Sequence, residues 1–317
     1  MKIFVGIDIG GTTVNIGLVS ENKQLLDGIL IETRPENGPE DALNRITSLL
    51  QKMISNGKKK SACKGIGIGL PGLLDTEKGN IIEASNLPGW QNYPITKELY
   101  RRLNIPVFIE NDANLAALGE HWLGAGREVD NLFMVTLGSG IGGALLMNGK
   151  ILRLHPSAGE FGHMIIEKSG AVCNCGRKGC LETYVSKHGF QRLVREFMPD
   201  DPDSALWNFE ADSLTPQVVA LTAAKRDMLA NRIFTVAGEA LGIALGNVIN
   251  LTGVTCIIIG GGIANSWKLL RKPVMQTLEK NVFKAIFPGV KVYKAALGVK
   301  AGFVGAARLA ASSVHAL

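Results

Sequence analysis

Short apolar runs broken by glycine and polar turns open the chain. Ile3 to Ile9, Asn15 to Ser20 and Leu25 to Glu32 are each of strand length and β-rich, and they predict a three-stranded antiparallel meander. The apolar period then lengthens to that of a helix. Pro39 suits a first helical position, Glu40 and Asp41 fall in the first turn, and Leu43, Ile46, Leu50, Met53 and Ile54 recur on one face until Gly57. Lys64 to Leu70 and Val107 to Glu110 read as strands, and Asp112 to Trp122 as a helix.

The pattern restarts at Leu132. Leu132 to Leu137 and Ala144 to Met147 are strand-like on either side of the glycine-rich turn Gly138 to Gly143, and Asn148-Gly149 is a hairpin signal. Asp8-Ile9-Gly10-Gly11-Thr12 and Leu137-Gly138-Ser139-Gly140, each followed by a strand, look like one unit used twice, which implies two similar α/β halves. Ala223 to Leu251 reads as a long helix, broken near Leu229. Glu239 and Asn247 in its interior argue for a buried core helix and against a membrane span. Thr255 to Ile259 is a buried strand running into Gly260-Gly261-Gly262, and Val299 to Ala311 is a helix that packs back on the first half.

Length adds a division. At 317 residues the chain exceeds what one hydrophobic core usually serves, so two domains with a cleft between them are expected. Boundaries fall in short connections near 113 to 120 and 298 to 302, giving 1–115 plus 301–317 as a smaller lobe and 116–300 as a larger one. With 46% hydrophobic and 20% charged residues the composition is that of a globular enzyme. The net charge of +6 comes from 34 basic residues spread among 28 acidic ones. Only Lys58 to Lys60 forms a run, a solvated loop by this reading, so no nucleic-acid partner is expected. The first strand begins at Lys2 and leaves no room for a secretory leader, which predicts a cytoplasmic protein with reduced cysteines.

Three glycine loops are candidates for binding phosphate. Gly10, Gly11, Thr12 and Thr13 would offer backbone N–H groups with little side chain in the way, and Asp8 could hold Mg²⁺ through water, though a plain glycine turn suits the same residues. Gly138, Ser139 and Gly140 repeat the device, and Gly260, Gly261 and Gly262 offer a third place for a nucleotide. No Gly-Lys-Ser/Thr follows, and the first strand leads into another strand, so neither a Walker A loop nor a dinucleotide fingerprint is present. A nucleotide cradle in an actin-like fold fits better. Transfer of a phosphoryl group from ATP needs a base near the attacking hydroxyl. Asp112, where a strand gives way to a helix, is the candidate base, with Asn111 holding a sugar hydroxyl; a helix N-cap at Asp112 is the rival reading, and the two roles are compatible.

His163, Cys173, Cys175 and Cys180 form His-x9-Cys-x-Cys-x4-Cys, with glycines at 170, 176 and 179 to let the chain fold tightly. Four N and S donors match a closed tetrahedral zinc site. One ring nitrogen of His163 on the metal would leave the other pointing outward. Glu160 and Glu182 flank the site, as ligand-binding groups or as surface carboxylates. Cys63 and Cys256 lie in apolar strands and read as core.

Together these motifs resemble the ROK family, in particular its bacterial glucokinase-like members. The stretches that carry the resemblance are Asp8 to Thr12, Leu70-Pro71-Gly72, Glu110-Asn111-Asp112-Ala113-Asn114, Leu137 to Gly143, Glu160-Phe161-Gly162-His163, Cys173 to Glu182 and Ile259 to Gly262, in family order. The resemblance implies an α/β, two-lobed, actin-like (ribonuclease H-like) ATPase fold, each lobe a mixed β-sheet flanked by helices, with a zinc-binding loop. It also implies ATP with Mg²⁺ as co-substrate, structural Zn²⁺, a small-molecule sugar as partner, no membrane, and a homodimer. Asp112 would be the base, and Asn111, Glu160, His163 and Glu182 would grip sugar hydroxyls, with Gly72 and Asn86 lining the pocket. Two departures stand out: Thr13 replaces a common Lys, and Leu154-His155-Pro156-Ser157 replaces a glycine-rich loop. A glucokinase-type enzyme is the first expectation. N-acetylmannosamine, N-acetylglucosamine, allose or fructose kinases are alternatives within the class, and a sugar-binding regulator without kinase activity is the alternative outside it.

Overall fold

The computed structural model describes residues 1–54, 62–84, 86–153 and 159–315. The Lys58 to Lys60 run and the 154 to 157 loop therefore lie outside the described residues. Two five-stranded sheets carry the fold. The first has the order β3-β2-β1-β4-β7, formed by β1 (Ile3–Ile9), β2 (Thr13–Ser20), β3 (Leu25–Glu32), β4 (Cys63–Leu70) and β7 (Val107–Asn111). The expected meander is present: β1–β2 and β2–β3 are antiparallel, while β4 joins β1 and β7 in parallel. A small hairpin of β5 (Leu73–Asp75) and β6 (Asn80–Glu83) follows β4. The second sheet has the order β10-β9-β8-β11-β12, from β8 (Leu132–Leu137), β9 (Ile141–Met147), β10 (Lys150–Ile151), β11 (Cys256–Gly260) and β12 (Lys291–Lys294).

By density of internal contacts the chain divides into two units, 1–130 with 144–158 and 296–317, and 131–143 with 159–295. In the first unit, alternation along β1 decides which helices cover each face. Ile3, Val5, Ile7 and Ile9 are buried against α1 (Gly38–Met53) and α2 (Ile95–Leu103), through Leu43, Ile46, Leu50, Ile95 and Leu99. Phe4 faces the other way, into a cluster with Trp122 of α3 (Asp112–Leu123) and Phe303, Val304 and Ala307 of α9 (Ala301–Val314). On that face β1 and β4 carry glycines. A Cβ on Gly6 would lie 1.7 Å from the Phe303 carbonyl oxygen, and one on Gly67 would lie 1.9 Å from that of Ala306. The backbone of α9 thus rests directly on the sheet, as the sequence led us to expect for the last helix.

In the second unit β11 pairs in parallel with β8 and β12. The long apolar segment is two helices, α6 (Pro216–Ala224) and α7 (Met228–Thr252), after α4 (Glu182–Val185) and α5 (Lys187–Phe197). The break falls near Leu229, as read from sequence: Arg226 has φ 68°, and Asp227 caps α7 by accepting the Ala230 N–H at 2.8 Å. Most of α7 is buried, with Ile233, Phe234, Ala237, Leu241 and Leu245 in the interior and Gly238 against Pro273 of α8 (Trp267–Asn281), so its length and apolarity belong to a core helix.

If the seating of α9 is a backbone contact, Gly6→Ala must move either the strand or the helix. Overpacking of this kind is expected to cost about 3 kcal/mol in chemical unfolding. Gly262→Ala, with nothing within 4 Å of the added carbon, serves as the control and is expected to stay within about 0.5 kcal/mol.

Candidate functional site

Asp8 is the even-numbered, α9-facing residue at the end of β1, so the same alternation that buries Ile7 and Ile9 turns it toward the helix termini. A Cβ on Gly302, in the first turn of α9, would sit 2.3 Å from Asp8 Oδ2, and one on Gly69 of β4 would sit 3.3 Å from Oδ1. The carboxylate fills a space that two glycines keep open. Burial and the charge of Asp112 push its pKa up to about 7. Two carboxylates that repel each other in this way favour a shared proton or a cation. After Asp8 the chain makes the expected glycine turn: Gly10 donates to the Thr13 carbonyl at 2.9 Å, and Thr33 Oγ1 donates to the Gly10 carbonyl at 2.6 Å. A Cβ on Gly11 would be 3.2 Å from that of Asn86, so Asn86 lies against this turn. Gly72 has φ 96°, and an added Cβ would be 2.2 Å from the Glu83 carbonyl oxygen, which ties its identity to the tight turn after β4.

At the end of β7 the cap of α3 is Asn111, whose extended backbone (φ −62°, ψ 143°) and Oδ1, accepting from the Ala113 N–H at 3.0 Å, are those of an N-cap. Asp112 is the first helical residue, and its Oδ1 accepts from the same N–H at 2.8 Å. The capping position therefore belongs to Asn111 and not to Asp112.

The metal motif closes as its spacing predicts. Cys173 donates its N–H to Arg177 and Gly176 donates to Cys173, turning the chain back through Gly176 (φ 85°) and Gly179 (φ 73°). The donor atoms of His163, Cys173, Cys175 and Cys180 all lie within 4.8 Å of one another. Cys173 Sγ is 3.7 Å from His163 Nδ1 and Cys175 Sγ is 3.6 Å from Cys180 Sγ. A tetrahedron with zinc–ligand bonds of about 2.0 to 2.3 Å has edges of about 3.5 to 3.8 Å, so these spacings fit zinc. The main-chain N–H and guanidinium of Arg177 lower Cys175 to about 6, while burial pushes Cys180 up to about 12. A divalent cation would let all three thiols ionise. The other ring nitrogen of His163, Nε2, faces Glu160 Oε2 at 3.9 Å.

Glu182 begins α4 and is wedged between two glycines. Its Oε2 accepts the Ile141 N–H at 2.9 Å, and Cβ atoms on Gly140 or Gly162 would come within 2.7 and 3.3 Å of that oxygen. Gly138 closes its own turn by donating to Gly140 and accepts from the Lys187 N–H. Beside this loop is a cavity of about 220 Å³ that Gly138 and Ser139 share with Gly262, so the second and third glycine loops meet. Gly260 and Gly261 are held instead by packing, against Met134 and the Leu137 backbone respectively.

Over residues 4–313 the chain matches the ROK family. The chain belongs to that family. It is similar to a glucokinase of Halalkalibacterium halodurans, with 36% identity over 95% of this chain and 93% of that one. It is also similar to a crystal structure of a ROK family glucokinase from Streptomyces griseus in complex with glucose and AMPPNP, with 29% identity, a TM-score of 0.80 and coverage of 98% and 99%. A xylose repressor of Caldicellulosiruptor bescii is 27% identical over 95% of this chain and 76% of its own length.

This ROK chain has cavity residues that motif reading missed. Lys187 opens α5, and Thr215, Pro216 and Gln217 open α6, with Thr215 Oγ1 accepting from the Val218 N–H. Their common signal was that of helix starts, Ser186-Lys187 and Thr215-Pro216, and helix N-termini suit anionic ligands.

Two outcomes follow for the ligand-free protein. Asp8 holds a proton in the folded state up to about pH 7, whereas the unfolded chain gives that proton up near pH 4, so folding loses stability between about pH 4 and 7 and none is recovered above. Asp8→Asn is expected to stabilise the protein by about 2 to 4 kcal/mol at pH 8 and by under about 0.5 kcal/mol at pH 3.5 in denaturant titrations. Cys175→Ser is expected to lower bound zinc from about one per chain to well under half, read by metal analysis after dialysis, with a fall in melting temperature.

Proposed function

We infer that this chain is an ATP-dependent sugar kinase and that glucose is its acceptor. Similarity to glucokinases over nearly the whole chain carries the reading, and the meeting of two glycine loops at one cavity and the charge of Asp112 acting on buried Asp8 support it. In this reading the 6-hydroxyl oxygen of the sugar attacks the γ-phosphorus, its proton passes to the Asp112 carboxylate, and the β–γ bridging oxygen leaves with its electron pair on ADP. Asn111, Glu160, His163 and Glu182 hold sugar hydroxyls, and Gly72 and Asn86 line the acceptor pocket. The loops at Gly10 to Thr13, Gly138 to Gly140 and Gly260 to Gly262 take the nucleotide, and Lys187, Thr215 and Gln217 extend that surface. Asp8 holds Mg²⁺, whose charge would oppose both the burial and the repulsion by Asp112 that raise its pKa. The His163–Cys173–Cys175–Cys180 cluster holds structural zinc and fixes the ring of His163, whose Nε2 is then available to a sugar hydroxyl. The enzyme works in the cytoplasm as a two-fold dimer.

Similarity to a xylose repressor favours one other reading, in which the same residues bind sugar without transfer. ADP release measured with Mg²⁺-ATP against glucose, N-acetylglucosamine, N-acetylmannosamine, mannose, allose and fructose separates the two. Turnover of glucose above the others is expected, with Asp112→Asn lowering kcat by about 10³-fold while still binding sugar in a thermal-shift assay. Sugar binding without ADP release from any sugar would leave only the regulator reading.

A further inference from the structure

Glu110 is 3% exposed, a position in which an ionised carboxylate needs partners for both oxygens. It has four. Oε1 accepts the Asn111 main-chain N–H and the Asn114 side-chain amide, both at 2.9 Å. Oε2 accepts Arg153 Nε at 2.6 Å and Arg153 Nη2 as well. A guanidinium can make such a two-pronged contact, and an ammonium cannot. Arg153 comes from two residues beyond β10, and its side chain remains about half exposed at 48%, so the charge reaches Glu110 from the surface.

The placement of those partners gives the pair its meaning. Asn111 is the cap of α3 and Asn114 lies in its first turn, so one carboxylate is bonded to the chain on both sides of Asp112. Asp8 of β1 stands level with Gly69 of β4, and Gly69 stands level with Glu110 of β7. Three carboxylates therefore gather at this end of the sheet, and the Arg153 guanidinium is bonded to the most buried of them.

We propose that Arg153, acting through Glu110, is a positioning residue for phosphoryl transfer: the pair fixes the main chain from Asn111 to Asn114 and so holds the Asp112 carboxylate where it takes the sugar proton. The inference rests on Asp112 being the base. Its signature is a loss in kcat with little change in the KM for ATP, because neither Glu110 nor Arg153 is among the residues that this reading assigns to the nucleotide.

The test uses the full chain loaded with zinc and compares Arg153→Met, Arg153→Lys, Glu110→Gln and the double variant Glu110→Gln/Arg153→Met with the wild type and with Asp112→Asn. Arg153→Met is expected to lower kcat about 30-fold with the KM for ATP within about twofold. Arg153→Lys, which keeps the charge but not the fork, should lose about fivefold. The double variant should lose less than the product of the two single losses, since a neutral amide no longer needs the cation. Amide hydrogen exchange across 110–114 should quicken in Arg153→Met and less in Arg153→Lys. A kcat within about twofold of wild type in Arg153→Met, with unchanged exchange, would overturn the proposal while leaving the kinase reading intact. Should Arg153→Met fail to fold, Arg153→Lys decides, and wild-type kcat and exchange in that variant overturn the proposal. Full activity in Asp112→Asn would instead remove the base assignment and the proposal with it.

Discussion

The seating of α9 on the first sheet is the contact on which the rest of that unit depends. A helix normally stands about 10 Å from a sheet because side chains from both fill the gap. Here Gly6 and Gly67 remove the sheet's side chains under Phe303 and Ala306, and the helix comes down onto the backbone. The same economy operates sideways, where Gly305 meets the Leu115 carbonyl and Gly119 meets that of Ala301, so α3 and α9 also touch along their main chains. The consequence is chemical. With no side chain at Gly302 the start of α9 closes over Asp8, while α3 delivers Asp112 to the same end of the sheet. The raised pKa of Asp8 is therefore a product of packing: burial supplies the larger part and its neighbour's charge the rest. Desolvation and like charge act in one direction, and a bound cation would oppose both.

That contact was only partly legible beforehand. The meander, the change of period into α1 and the break before α7 could be read because buried strands and helices repeat at 2 and 3.6 residues. The metal cluster could be read because its ligands are close in sequence and chemically rare. Elements without such a signature escaped. Helix α2 buries little beyond Ile95 and Leu99, and β12, Lys-Val-Tyr-Lys, is mostly exposed despite pairing with β11. Helix α8 contains Pro273, which reads as a breaker, yet its ring is accommodated because Gly238 on α7 leaves room. The cavity beside Gly138 escaped for another reason: Lys187, Gln217 and Gly262 are brought together by tertiary structure alone. At the Asn111-Asp112 pair local sequence supports either residue as cap, and backbone geometry resolves the choice.

Two acidic residues, Glu110 and Glu120, are among the few buried charged groups of the described chain, and the way each is satisfied separates scaffold from site. Glu120, near the far end of α3, takes the main-chain N–H groups of Ala125, Ala296 and Leu297. Those donors cannot rotate away, so the carboxylate knots the end of the helix to the segment that leads into α9, and the knot is as rigid as the backbone that makes it. Glu110, at the near end, shares its charge with a side chain that starts at the surface and has several rotatable bonds. Removing either carboxylate's partners leaves a buried charge exposed to its full desolvation cost. Only at Glu110 can a single side chain be lost without disturbing the fold's own hydrogen bonds. One helix is thus held at its C-terminal end by main-chain donors alone, and at the end that carries Asp112 by a carboxylate whose cation is a single side chain, so that one substitution can loosen that end and leave the other as it was.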